Sequence, residues 1–324
     1  MKIRKNKIIN LFIGVVLPLL AACNSYEEPI KIGVNGWPPC ELWYIAQEKG
    51  YFGDTPVEII RFSTWSDNMA SLYVGKTDLT HSTYFNAVYY NSRGEEAKII
   101  LSSDMIRGAD GLVVKEGIED IHDLKERRIA VEVGTDEHFL LHKLLKEAGI
   151  REEEVTIIPI DSEEGMRRFI AGEVDGCFTY EPFLSQAADR GMGKIIISTS
   201  DTFKIIDTLV ARSEVLNERK EDYVNILRAW YRAQEFVRDN PREAYEIMAA
   251  QEGTPYEDFK SFYESFYFFT LKENRETFLS EDFKRELEGI KVFLAESNLI
   301  STDLDTGKLF DPSIVNSAGV EGDD

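Results

Sequence analysis

Six short stretches hold most of the side chains in this chain that could do chemistry: WPP (37–39), STWSD (63–67), STY (82–84), SSD (102–104), GTDEH (134–138) and TYEPF (179–183). Each sits where a short apolar, strand-like run gives way to a helix-like one. Together they supply indole and phenol faces, hydroxyls, carboxylates and the free N–H groups of helix starts, a set suited to enclosing and hydrogen-bonding a small molecule. Nothing in them assembles a nucleophile with its base: GxSxG, the P-loop and HExxH are all missing. His138 and His142 stand four apart, a metal-ligand spacing, but HFLLH lacks the glutamate that HExxH places after its first histidine. They read as a helix-surface pair, and neither a metal nor a cofactor is expected.

The candidate ligand-binding residues are Trp37, Thr64, Trp65, Thr83, Tyr84, Asp104, Arg107, Thr135, Tyr180 and Glu181. Each also has a plainer role open to it. Trp37 could plug a core, and the threonines could simply cap helices. Thr135 opens a helix that could receive an anion, yet Asp136 and Glu137 already place negative charge in that first turn. With Asp104, Asp110, Glu132 and Glu181 at the junctions and Arg107 the nearby cation, the expected ligand carries an amine or is a positively polarised heterocycle. Asp104 or Glu181 would pair with it, against an aromatic wall of Trp37, Tyr84 and Tyr180. The competing reading has these carboxylates facing solvent or pairing within the protein.

The elements that must position these groups alternate. KIGVN, VEIIRF, TDLTH and KIILSS read as strands, separated by helices over 41–49, SDNMASLYV and 84–91. A second set follows: RRIAVEV, VTIIPI, VDGCFTY and KIIIST as strands, with GTDEHFLLHKLLKEAG, EEGMRRFIAG and EPFLSQAADRG as helices. Such alternation implies α/β architecture with mostly parallel sheets, in which ligands sit beyond the carboxyl ends of the strands. From Glu214 onward the chain reads as helical; in EDYVNILRAWYRAQEFVRDN, Val224, Leu227, Trp230 and Tyr231 share one face.

Lys2, Arg4, Lys5 and Lys7 precede an apolar run, residues 8–20, too short and too interrupted by Asn10 and Pro18 to span a bilayer comfortably. It reads as an export signal over 1–22, and LAAC resembles a bacterial lipobox. Cys23 would then carry the lipid, palmitate included, with 23–29 as a tether to the membrane. Losing those four cations takes the formal charge from -21 to -25, which excludes a nucleic-acid partner. Cys40 and Cys177 remain, too few for a disulfide framework, and are expected as free thiols.

The succession KIGVNGWPPCELWYIAQEKGYF, WSDNMASLYVGKTDLTHST, RGADGLVVKEGIEDIHDLKERRIAVEVGTDEHFLLHKLLKEAGI and FIAGEVDGCFTYEPFLSQA resembles the extracytoplasmic solute-binding proteins of the nitrate, sulfonate and taurine class of ABC importers. Their relatives bind pyrimidine precursors of thiamine. The resemblance runs from about residue 30 to about residue 300. It implies a periplasmic-binding-protein-like fold of type II, two α/β lobes around a ligand cleft with two crossovers near 111–114 and 208–212. Lobe 1 would be 30–112 plus 210–310 with the C-terminal helices, lobe 2 would be 113–209, and 311–324 a loose tail. It further implies a monomer in the cell envelope, with Trp37 in the cleft, that closes on a small-molecule solute and hands it to an ABC permease and its ATPase. A ligand-sensing lipoprotein partnering a sensor kinase is the alternative. So is an enzyme like the pyrimidine synthases of yeast thiamine biosynthesis, although GCFTYEP holds one cysteine where those carry a cysteine-rich motif.

Overall fold

The computed structural model describes residues 28–63, 65–94, 96–106, 108–200, 205–300 and 304–319. Twelve strands are present among them: β1 (Ile30–Val34), β2 (Val57–Arg61), β3 (Leu79–Thr83), β4 (Ala97–Ser102), β5 (Asp104–Ile106), β6 (Asp110–Val114), β7 (Arg128–Val131), β8 (Thr156–Pro159), β9 (Gly176–Tyr180), β10 (Lys194–Ser198), β11 (Asp207–Arg212) and β12 (Phe266–Phe268). They form two five-stranded sheets, β2-β1-β3-β11-β4 and β10-β6-β9-β7-β8, and a two-stranded ribbon, β12-β5. The expected export signal and Cys23 lie outside the described residues, as do Thr64 and Arg107. Among the described residues no helix is long and apolar enough to cross a membrane.

Each sheet contains one strand that runs against its neighbours. In the first, β1 is parallel to β2 and β3, whereas β11 is antiparallel to both β3 and β4. In the second, β7 is parallel to β8 and β9, whereas β6 is antiparallel to β9 and β10. Both exceptions are strands that have just arrived from the other sheet. A chain that crosses at the carboxyl edge of one sheet enters the next at its carboxyl edge too, and so runs backwards through it. The expected crossover stretches near 111–114 and 208–212 therefore need correction. Those residues are strand, Asp110–Val114 wholly in the second sheet and Asp207–Arg212 wholly in the first. The chain changes sheet between Ser102 and Asp110 and again between Ser198 and Asp207, which moves the sheet boundaries a few residues from 112 and 209.

The first sheet carries the larger core. Trp43, on helix Leu42–Glu48, and Trp230, on helix Lys220–Asp239, are fully buried with ring centroids 4.8 Å apart. The Trp43 indole N–H donates to His81 Nε2 at 3.1 Å. Val224, Leu227, Trp230 and Tyr231 are all buried on one face of the long helix, as the 3.6-residue period requires. Asn274 ties the helical region to the sheet: its Oδ1 accepts from the Ser102 amide at 2.7 Å and its Nδ2 donates to the Ser102 carbonyl at 2.9 Å. The second sheet buries Leu112, Ile129, Leu141 and Phe178 on one face and Val113, Met166, Phe169 and Cys177 on the other. Cys40 and Cys177 are free and buried, in the cores of the first and second sheets respectively.

The residues after Asp311 depart from the expected loose tail. Asp311 caps helix Pro312–Ser317 by accepting from the Ser313 amide, Pro312 occupies its first turn, and Ile314 and Val315 are fully buried. Residues 320–324 lie outside the described set.

Candidate functional site

The ends of β3 and β4 and the start of β11 share one edge of the first sheet, and the end of β9 and the start of β6 share one edge of the second. Register fixes this: Asp207 lies opposite Thr83, Thr208 opposite Ser102, and Asp110 opposite Tyr180. The two sheets then face each other across these edges through helix starts. Thr83 caps helix Tyr84–Asn91 by accepting from the Asn86 amide at 3.1 Å, and its hydroxyl donates to Asp136 Oδ2 at 2.8 Å, on the first turn of helix Asp136–Glu147 in the other lobe. Aromatic contacts close the seam farther out, with Phe139 6.0 Å from Phe85 and 5.2 Å from Phe293 between centroids. Lys146 pairs with Glu296 at 3.1 Å. A cavity of about 20 Å³ remains between the lobes, lined in part by Tyr84, Asp136, Ile206 and Glu286, room for one water.

The interior of this cleft is acidic. Asp104 is fully buried, and Asp110, Glu137 and Asp207 nearly so. Burial raises the Asp104 carboxyl to about 6 against lowering contacts from Ser103, Asp207 and Trp37. Burial first, then the Asp104 charge, pushes Asp207 well up. Burial and the neighbouring Glu137 and Asp136 do the same for Asp110, which the Thr199 hydroxyl contacts at 3.4 Å. Asp136 rises to about 8 through burial and then Glu137. Desolvation makes each charge costly and the neighbouring carboxylates compound it.

The sequence-predicted residues divide. Trp37 packs edge-on against Phe262 and Phe266, with centroids 5.9 and 5.0 Å away, and its indole N–H is buried without a hydrogen-bond partner beside Asp104. It packs on the core of the first sheet, next to Asp104. Tyr84 is buried, its hydroxyl 2.5 Å from Ser102 Oγ. Tyr180 is half-buried against Phe183, and burial followed by Glu137, Glu132 and Asp110 pushes its hydroxyl to about 12. Trp65 is half-buried at the first turn of helix Trp65–Tyr73. Thr135 serves as a cap: its hydroxyl donates to the Glu132 carbonyl at 2.7 Å and meets the His138 amide at 3.5 Å. Glu181 stands apart, both its oxygens bound to Ser185, at 3.1 Å from the amide and 2.7 Å from the hydroxyl. His138 and His142 both meet Glu152, at 3.4 and 2.9 Å, and pack against Phe293.

Sequence reasoning missed Asp207, Asp136 and Glu137 as cleft groups and gave Asp110 no site role. The rule that ligands lie beyond strand ends selects the last residues of parallel strands. Asp110 and Asp207 are the first residues of the two antiparallel ones, and a readable signal existed: each is a lone carboxylate opening an otherwise uncharged run, DGLVV and DTLVA.

Two α/β sheets linked by two crossovers around a cleft of helix starts define the periplasmic-binding-protein fold. The chain belongs to the NMT1-like family, whose model matches residues 24–251. A protein of Bacillus subtilis strain 168 named "Putative aliphatic sulfonates-binding protein" is 26% identical over 251 residues, covering 72% of this chain and 74% of that one. The crystal structure of the periplasmic aliphatic sulphonate binding protein SsuA from Escherichia coli superposes with a TM-score of 0.72 at 16% identity, over 88% of this chain and 93% of that chain. The desulfurization enzyme DSZB shares the fold at a TM-score of 0.61 and 15% identity, over 90% of this chain and 99% of that chain.

Proposed function

We propose that this protein is the extracytoplasmic solute-binding component of an ABC importer. It captures a small nitrogen- or sulfur-containing organic solute between its lobes and presents the closed form to a membrane permease and its ATPase. The observation that carries this reading is the Thr83–Asp136 hydrogen bond between two helix starts in different lobes, which the described strands place in two sheets joined by two crossovers. Two crossovers permit hinge opening, and a solute that contacts both lobes favours the closed form by its differential affinity. The relatives named as binding proteins support the same reading. Export through residues 1–22, lipid on Cys23, a location outside the cytoplasm and a monomeric state complete the proposal.

Thermal-shift screening of small amines, aminopyrimidines, betaines, nitrate and alkanesulfonates tests it. A true solute raises the melting temperature in step with its concentration and reduces the radius of gyration in solution scattering. Stabilisation by none of them, or stabilisation with chemical conversion of the compound, overturns the reading. Mass spectrometry of the membrane-extracted protein tests the anchor, with lipid mass expected on Cys23 and lost in Cys23→Ser.

A further inference from the structure

Resting on the solute-binding reading, we infer that the cleft takes a small organic cation bearing N–H donors, with Asp104 and Asp207 as its counter-ions, and that it rejects alkanesulfonates. Asp104 opens the ribbon strand β5 and Asp207 opens β11, and the Ser103 amide donates to the Asp207 carbonyl at 2.9 Å, so the two carboxyls stand at one point of the hinge. Both Asp104 oxygens are fully buried, with only Ser103, Trp37 and Asp207 beside them and none of these in good hydrogen-bond geometry. Thr179 Oγ1 on the neighbouring lobe is likewise fully buried and without a hydrogen-bond partner. Buried acceptors of this kind are rare in folded proteins and costly, and an ammonium or amidinium supplies the donors they lack.

Among the described residues, the ionisable groups that act on the pair are carboxylates: Asp136 and Asp110, from the second lobe, act on Asp207 together with Asp104, and Glu137 acts on Asp110 and Asp136 in turn. The helix start that could receive a sulfonate on the first lobe is already occupied: the Thr83 hydroxyl, which caps helix Tyr84–Asn91, donates to the Asp136 carboxyl and is not free for a second acceptor. Trp37, with Phe262 and Phe266 behind it, adds an aromatic wall next to Asp104, favourable to a cation.

Burial raises Asp104 to about 6, and burial followed by the Asp104 charge pushes Asp207 well up, so the pair holds a proton. An entering cation displaces that proton, which passes to the buffer. Calorimetric titration of the full chain at about pH 6, in two buffers of different ionisation heat, with putrescine, benzylamine, tetramethylammonium and ethanesulfonate as probes, reads both binding and proton release. The expected result is binding of putrescine or benzylamine with release of roughly one proton and weaker binding of tetramethylammonium, which has no N–H. Ethanesulfonate gives no heat of binding. Asp104→Asn weakens the amine at least about tenfold and abolishes the proton release, a change that a purely structural Asp104 would not produce. Asp207→Asn is the second variant should the first not fold. Binding of ethanesulfonate alone, lost in Arg107→Ala, overturns the inference and leaves the solute-binding reading standing. Binding of neither class overturns the inference alone, the solute-binding reading being decided by the wider thermal-shift screen.

Discussion

Asp136→Asn should make the protein more stable above neutral pH. In the folded protein the Asp136 carboxyl is raised from 3.8 to about 8, by burial first and then by Glu137, with Glu286 adding to it and the Thr83 hydroxyl opposing it. The folded state therefore holds a proton that the unfolded chain has lost, and stability falls as pH rises from about 4 to about 8. Each pH unit in that window is about 1.4 kcal/mol, so the stretch from roughly pH 6.5 to 8 alone removes about 2 kcal/mol. His81, which burial lowers to about 3, works in the opposite direction, but only below about 6.5, where its unfolded form protonates. Asparagine is neutral at every pH and keeps an acceptor for Thr83. Urea unfolding followed by tryptophan fluorescence should find the variant within about 1 kcal/mol of the parent at about pH 6.5 and about 2 kcal/mol more stable, relative to that baseline, at about pH 8. Parallel pH profiles for the two proteins, or a variant that loses ground as pH rises, would refute the reasoning.

Three further outcomes follow from other parts of the fold. Asn274→Ala leaves the Ser102 amide and carbonyl without the partners at 2.7 and 2.9 Å, and a loss of about 3 kcal/mol in denaturant unfolding is expected. In Gly33→Ala the new methyl would meet Asn68 Oδ1 at 2.3 Å. Asn68 is fully buried and holds Thr80 Oγ1 at 2.7 Å, so it has nowhere to move, and a loss of about 2 kcal/mol is expected. Cys40 and Cys177, both buried with thiols raised by desolvation, should stay unlabelled by a thiol reagent in the native protein and react together on unfolding; one disulfide per molecule by mass spectrometry would contradict this.

Local pattern and composition determined most of the architecture. Strand and helix periods are nearest-neighbour properties, so KIGVN, VEIIRF and EDYVNILRAWYRAQEFVRDN could be read directly, and the order of motifs pointed to two lobes. The junction at Thr83 and Tyr84 was legible for the same reason, since a strand that runs into a helix marks its own carboxyl end. What the tertiary structure alone decided is where unlike segments meet. Strand direction after a crossover depends on which edge the chain enters, and that placed Asp110 and Asp207, at strand starts, beside Asp104 and the ends of β3 and β9. The hydrogen bond from Thr83 to Asp136 joins residues 53 positions apart and converts what read as a simple dipole-compensating carboxylate into a contact between lobes. Glu181 shows the converse: its type and place suited a ligand, but the turn of helix beside it offered Ser185 first. Helices and strands form from each residue's neighbours in sequence, whereas the charge of a cleft is a sum over residues that only folding brings within a few ångströms.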